Sequence, residues 1–331
     1  MTDENQTIAA LTRRRNNDKH LFTAGPASLL AENITGLRPC FGRGDEDYAG
    51  LASQVLTTLK SMSGHEYIVP MQGSGSLALE IMALNFLCGR VLILSSGYYS
   101  ERLHDLALSA QRRMNEISDV TTMDWTAMAD AAGKYDWVVA CYTETSTGTL
   151  LPIEELRQLA DRLGAKLMLD ATASIGLETQ HELADVISYS SCKGLFGLTG
   201  AAFIAYREAP TVIPDSFYLD LANHRDKKMT GPYHAIASLA HVLPRHEHFR
   251  TAVITNKQRF SERMTNYLTR PLERQPQLCT HVSCIITSPD PRAVLYASRS
   301  NQGGSVVCHL GEVHLGEQAR GDILSDLEIQ A

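Results

Sequence analysis

Lys193 stands within SYSSCKGLFGLTGAAF, residues 188–203, at the end of an apolar run and among small residues and glycines. A loop lysine is ordinarily solvated, because an ammonium group is rarely buried without a partner. Here the neighbours Cys192, Gly194, Leu195, Phe196 and Gly197 offer no carboxylate, and the flanking stretches ADVISYSS and GAAFIAYR read as short buried strands. An amine held away from water gives up its proton more readily, and the neutral amine is the nucleophile that Schiff-base chemistry needs. Asp170 ends the apolar strand of KLMLDATAS, 23 residues before the lysine. A strand-end aspartate commonly caps the turn that follows, but the carboxyl ends of strands are also where open α/β sheets bind ligands. Two such residues at strand ends suit pyridoxal phosphate. The lysine would form a Schiff base with it, and the aspartate would keep its ring nitrogen protonated so that the ring acts as an electron sink.

A phosphate needs its own seat. The run Gly73-Ser74-Gly75-Ser76-Leu77-Ala78 follows a strand-like stretch and opens a helix, and it fits the G-x-G-x-x-G/A dinucleotide pattern. That pattern also expects an acidic residue about twenty positions on, at the end of the next strand. VLILSSGYYS ends in serines instead. What survives is anion binding by amide and hydroxyl groups at a helix N-terminus, which makes Ser74, Gly75 and Ser76 candidates for a phosphate cradle. His241, His246 and His248 crowd HVLPRHEHF, but the proline breaks their helical spacing, so no metal site is expected.

The elements that must position these residues follow from periodicity. LASQVLTTLKSM, SGSLALEIMALNFL, YSERLHDLALSAQRRM and PIEELRQLADRLG have helical spacing; EYIVPM, RVLILSS, DWVVACY and AKLMLDATA read as strands. This alternation, running to about residue 206, predicts a mainly parallel sheet covered on both faces. Beyond it, long helices and then a small sheet domain are expected, the latter from HVSCIITS, AVLYAS and SVVCHLGEVHL. A chain of 331 residues is longer than one core usually fills. Its organisation is read as an arm at 1–20, a large domain at 21–220 and a small C-terminal domain at 221–331. A net charge of −7 and the lack of a long basic block argue against nucleic acid. Seven cysteines without a Cys-x-x-Cys pair suggest reduced thiols. No signal-like or membrane-spanning apolar stretch occurs, so the expected location is cytoplasmic.

From about residue 21 to 315 the chain resembles the class V aminotransferases of fold type I, nearest the alanine–glyoxylate and 2-aminoethylphosphonate–pyruvate branch. TAGPASL, FGRGDEDY, GSGSLALE, SSGYYSER, YTETSTGTLLPI, LDATASIG, SSCKGLFGLTGAAF and TGPYHAI carry the resemblance. It implies an α/β fold with a seven-stranded, mainly parallel sheet and a smaller C-terminal α+β domain. It also implies pyridoxal 5'-phosphate bound covalently to Lys193, with Asp170 at the ring nitrogen and Ser74, Gly75 and Ser76 at the phosphate. Tyr99, with Tyr98 as fallback, would stack on the ring, Thr145 would bond the cofactor, and Ser174, the small residue of the strand-end loop, would join the cofactor-binding residues. Thr230 and Tyr233 of TGPYH would reach the phosphate of a partner subunit in a homodimer.

The family's small domain usually closes with an R-I-G-x-x-G-like stretch whose arginine grips the substrate's acidic group. Here VCHLGEVHLGE places His309 at that arginine. Substrate binding is therefore expected from His309 or from Arg43 in the FGRGDEDY loop. The implied function is transfer of an amino group from a 2-aminoethylphosphonate-like or small amino-acid donor to a keto acid such as pyruvate or glyoxylate. A lyase or decarboxylase on the same fold, or a cofactor-bearing subunit whose catalysis has lapsed, are the alternatives. A desulfurase is disfavoured because Cys192, not histidine, precedes the lysine.

Overall fold

In the computed structural model, which describes residues 3–16, 19–37, 41–42, 44–299 and 303–330, seven strands form one sheet. In spatial order they are Tyr67–Gln72, Ala201–Tyr206, Val186–Ser190, Lys166–Asp170, Trp137–Cys141, Gly89–Ser95 and Ile117–Asp124. Ala201–Tyr206 runs antiparallel to both neighbours, and every other pairing is parallel. A sheet covered on both faces gives continuous apolar strands. WVVAC, VISYS and AAFIAY are accordingly buried at every position. The outer strand Ile117–Asp124, ISDVTTMD, is mostly exposed or half-buried, and its mixed composition hides it from a periodicity reading.

Helices cover the two faces. Glu46–Ser63, Ile153–Leu163 and Tyr233–Val242 pack one face through Val55, Leu59, Leu156, Leu159, Ile236 and Leu239. Gly75–Phe86 and Tyr98–Arg113 pack the other through Leu79, Ile81, Met82, Leu103 and Ala107. Helix Ile153–Leu163 shows why: it buries Ile153, Leu156, Leu159, Ala160 and Leu163, a stripe at three- and four-residue spacing. Gly164, at φ +70°, ends it in the left-handed conformation that glycine adopts without strain.

The C-terminal part contains paired short strands instead of one small sheet. Cys279–Val282 pairs with Ser305–Cys308, and Ile286–Thr287 with Glu328–Ile329. Two segments cross the boundary expected at residue 220. The strand His20–Phe22 pairs with Ala293–Leu295, and helix Tyr233–Val242 packs on the large sheet. Among the described residues, no helix is long and apolar enough to cross a membrane.

Candidate active site

Cys141, Asp170 and Ser190 are the last residues of three adjacent strands, and all three line a cavity of about 250 Å³. The chain leaves Ser190 into the turn that carries Lys193, which lines the same cavity. Several contacts fix that turn. Ser191 Oγ donates to Ala201 O at 3.1 Å, Phe196 N to Lys193 O at 2.9 Å, and His246 Nε2 lies 2.8 Å from Gly194 O. Phe196 is fully buried against His246 and Phe249. The lysine's aliphatic stem passes over Gly25, where an added Cβ would come within 2.9 Å of Lys193 Cγ. Its Nζ reaches 5.6 Å from the centroid of the Tyr99 ring.

Tyr99 sits in the first turn of helix Tyr98–Arg113, and a buried carboxylate fastens that turn. Glu144 Oε2 accepts from Tyr99 N and Ser100 N, both at 3.0 Å, while Oε1 accepts from Ser146 N at 3.1 Å and from the Ser146 hydroxyl. Burial pushes the Glu144 carboxyl above its ordinary value, and these hydrogen bonds oppose the shift. Gly97, at φ +151°, is required beside it, because a Cβ there would lie 2.7 Å from Ser146 Oγ and 2.9 Å from Glu144 Cδ.

The sheet-facing end of helix Gly75–Phe86 supplies another wall. Gly75 and Ser76 line the cavity, where the first N–H groups of a helix lack intrahelical acceptors. A Cβ on Gly75 would meet Thr172 Cγ2 at 3.0 Å, so glycine keeps this approach open. Arg102 donates from Nη1 to Ser76 Oγ at 3.1 Å and lies 4.9 Å from the Tyr99 ring centroid. The lining therefore joins an anion seat to a flat aromatic face.

This geometry fits pyridoxal phosphate. Thr143, Thr145 and Thr172 line the cavity with buried hydroxyl oxygens that have no hydrogen-bond partner in the protein. An unsatisfied buried polar atom costs about 1–3 kcal/mol, so three around one cavity call for a polar ligand. Asp170 is buried, and its Oδ1 accepts from Thr172 N at 2.8 Å. A carboxylate, a lysine, an aromatic face and a helix N-terminus match a ring nitrogen, an aldehyde, a ring plane and a phosphate.

Not every expected residue converges there. Lys193, Asp170, Gly75, Ser76, Tyr99 and Thr145 line the cavity; Ser74 is the exposed N-cap residue beside it. Tyr98 is not among the lining residues, and Tyr99 takes the aromatic place. Ser174 is corrected to a structural residue, because its hydroxyl is buried between Ala171 O at 3.3 Å and His181 Nε2 at 2.9 Å. His309 is corrected too. It is buried in the C-terminal part, with Nε2 2.9 Å from Thr280 Oγ1 and the Phe260 ring 5.6 Å away. Burial holds it down to about 3, neutral and unable to grip an anion. Thr230 and Tyr233 line a separate cavity of about 580 Å³, where Tyr233 packs on Tyr48 at 4.4 Å. Arg43 lies outside the described residues.

Arg102, Thr143, Thr172, Glu144 and Arg299 were not foreseen. Arg102 follows Tyr99 by three positions, so helical spacing places both on one face. Arg299 lies beyond the last strand-like run of its region, where no period applies. Among the described residues, no group of three or more metal-ligating side chains is assembled.

Comparison with known proteins adds the family. The aminotransferase class V family model matches residues 66–214. The 2-aminoethylphosphonate–pyruvate transaminase of Pseudomonas aeruginosa strain PAO1 is 30% identical over 254 residues, covering 69% of this chain and 68% of the relative. Among solved structures, an alanine–glyoxylate aminotransferase from Nostoc sp. superposes with a TM-score of 0.78 at 19% identity, covering 93% of this chain and 94% of its own. A PLP-bound phosphoserine aminotransferase from Trichomonas vaginalis superposes with a TM-score of 0.71 at 16% identity, covering 93% and 99%.

Proposed function

Because the chain belongs to the class V aminotransferases, enzymes that depend on pyridoxal phosphate, we propose that it moves an amino group from a 2-aminoethylphosphonate-like or small amino-acid donor to pyruvate or glyoxylate. The observation that carries the site assignment is the convergence of Lys193, Asp170, Tyr99 and the Gly75–Ser76 helix end on one cavity. The donor and acceptor classes rest on the 30% identity to a 2-aminoethylphosphonate–pyruvate transaminase and on the family resemblance.

When bound, pyridoxal phosphate supplies an electron sink for the charge left as the donor's α proton departs. The remaining work falls to the chain. Lys193 Nζ would hold the cofactor covalently and, as a free amine, would take the donor's α proton as general base and return it as general acid. The Asp170 carboxylate holds a proton at the ring nitrogen. Tyr99 would lie against the ring and exclude water from one face, a stack worth about 1 kcal/mol beyond burial. The amides of Gly75 and Ser76, the Ser76 hydroxyl and the Arg102 guanidinium would bind the phosphate, with Ser74 as the N-cap residue of the same turn. Thr145 offers its unpaired hydroxyl to the ring substituents. Thr230 and Tyr233, which lie outside this cavity in their own chain, would serve the partner's phosphate in a homodimer.

The test is a donor screen with pyruvate and with glyoxylate as acceptors, following alanine and glycine by mass. Stoichiometric amino transfer from an acid-bearing primary amine is expected. Release of carbon dioxide or ammonia without formation of either product would replace transamination with decarboxylation or elimination.

A further inference from the structure

Among the described residues, the cavity around Lys193 carries Arg102, Lys193 and Arg299 against the single carboxylate of Asp170. Three of these groups have work at the cofactor. In the transaminase reading Lys193 would be the attachment point and Asp170 the partner of the ring nitrogen, while Arg102, bonded to Ser76, would serve the phosphate at the helix end. Arg299 is left over. It is exposed at the cavity's edge, and no carboxylate among the described residues lies within ion-pairing distance of it. Tyr98 aims it: Arg299 Nη1 donates to the Tyr98 hydroxyl at 2.8 Å, and the guanidinium carbon lies 4.9 Å from the ring centroid. Arg102 lies 5.6 Å from that same ring, so Tyr98 stands between the two guanidinium groups. Hydrogen bonding from Arg102, then from Arg299, holds the Tyr98 phenol below its ordinary value, as expected for a hydroxyl facing two cations.

We propose that Arg299 is the specificity-determining residue of this site, the cation that grips the acidic far end of the amino donor, whether phosphonate or carboxylate. The proposal rests on the transaminase reading given above. A guanidinium has five N–H donors in a planar fork; with one engaged by Tyr98, enough remain for a bidentate pair with an anion. The role that the family resemblance gave to His309 cannot be met from its place, since that imidazole is buried, neutral and outside the cavity. Arg299 comes from the irregular segment that follows Ala293–Leu295, well before the stretch where the family carries its arginine.

The experiment compares wild-type holoenzyme with Arg299→Gln and Arg299→Lys, using 2-aminoethylphosphonate, β-alanine and propylamine. The dissociation constant of each amine is read from the change in cofactor absorbance, and kcat and KM are measured wherever turnover occurs. For both acid-bearing amines, Arg299→Gln should weaken binding by roughly 10- to 100-fold, the range expected for a lost charged hydrogen-bond pair. Their kcat should change far less, because the contact is uniform binding. Arg299→Lys should fall between the two, and propylamine should bind all three proteins equally. A larger loss for the phosphonate than for β-alanine would name the phosphonate as the better-held group; equal losses would name the shared negative charge. Equal effects on propylamine and the acid-bearing amines, no effect on any, or loss of cofactor affinity in place of donor affinity would overturn the assignment. Failure of the wild-type protein to take up pyridoxal phosphate would sink the transaminase reading itself, and that is visible before any variant is made.

Discussion

At Asp170, one carboxylate oxygen already accepts from Thr172 N at 2.8 Å, which fixes the side chain and leaves the other oxygen to a ligand. Asparagine can keep the contact to Thr172, but it turns an N–H toward a ring nitrogen that must itself stay protonated. Asp170→Asn should therefore retain covalent cofactor while kcat falls by about 100-fold or more, the scale of a lost preorganised charge contact. Absorbance and steady-state rates check the two halves separately, and near wild-type turnover would remove Asp170 from the ring nitrogen. Lys193 and Asp170 were legible because each is a lone polar group closing an apolar run, a placement that local sequence displays. Ser174 and His309 were misplaced for the opposite reason. Their positions matched the family's motif, but burial is decided by distant partners, His181 for one and Thr280 with Phe260 for the other.

The first turn of helix Tyr98–Arg113 is held by one side chain from just beyond the strand Trp137–Cys141. Glu144 receives two backbone N–H groups of that helix on one oxygen, and the Ser146 N–H and hydroxyl on the other. A carboxamide has only one acceptor atom, so Glu144→Gln must set an N–H₂ group against N–H donors. The variant should lose about 1–3 kcal/mol of stability, read as a lower urea midpoint. Because Tyr99 and Arg102 ride on the same helix, cofactor affinity should fall with it. An unchanged midpoint would show that the contact holds nothing. Elements with strong periodicity were legible, as the buried stripe of Ile153–Leu163 illustrates. The outer strand Ile117–Asp124 was not, since a strand with one neighbour and a wet face needs no continuous apolar run. The short pairs of the C-terminal part were blurred because their partners lie far apart in sequence, as with His20–Phe22 and Ala293–Leu295.

Several histidines are buried across the molecule, and burial lowers their proton affinity. His181 and His309 go down from 6.5 to about 3. Between those values the unfolded chain binds more protons than the folded one, so stability rises with pH through this window. It is fully present above about 6.5 and is lost as pH falls toward 3. Each such histidine adds a slope of at most about 1.4 kcal/mol per pH unit. His309→Gln, which can still meet Thr280, should flatten the dependence of the urea midpoint on pH between 6 and 4 on the order of one proton; an unchanged slope would mean that His309 is not held neutral. At the level of assembly, Thr230 and Tyr233 are proposed to complete a partner's site. Dilution to monomer, followed by light scattering, should abolish turnover, and a fully active monomer would contradict the shared site.

The attachment of the cofactor to Lys193 is tested most directly by borohydride reduction of protein loaded with pyridoxal phosphate, followed by proteolysis and mass spectrometry. One modified peptide is expected, the one containing residue 193, carrying the reduced cofactor at its lysine, with Lys193→Ala protein left unlabelled. A cofactor fixed to any other lysine, or none fixed at all, would contradict the placement of the active site in this cavity.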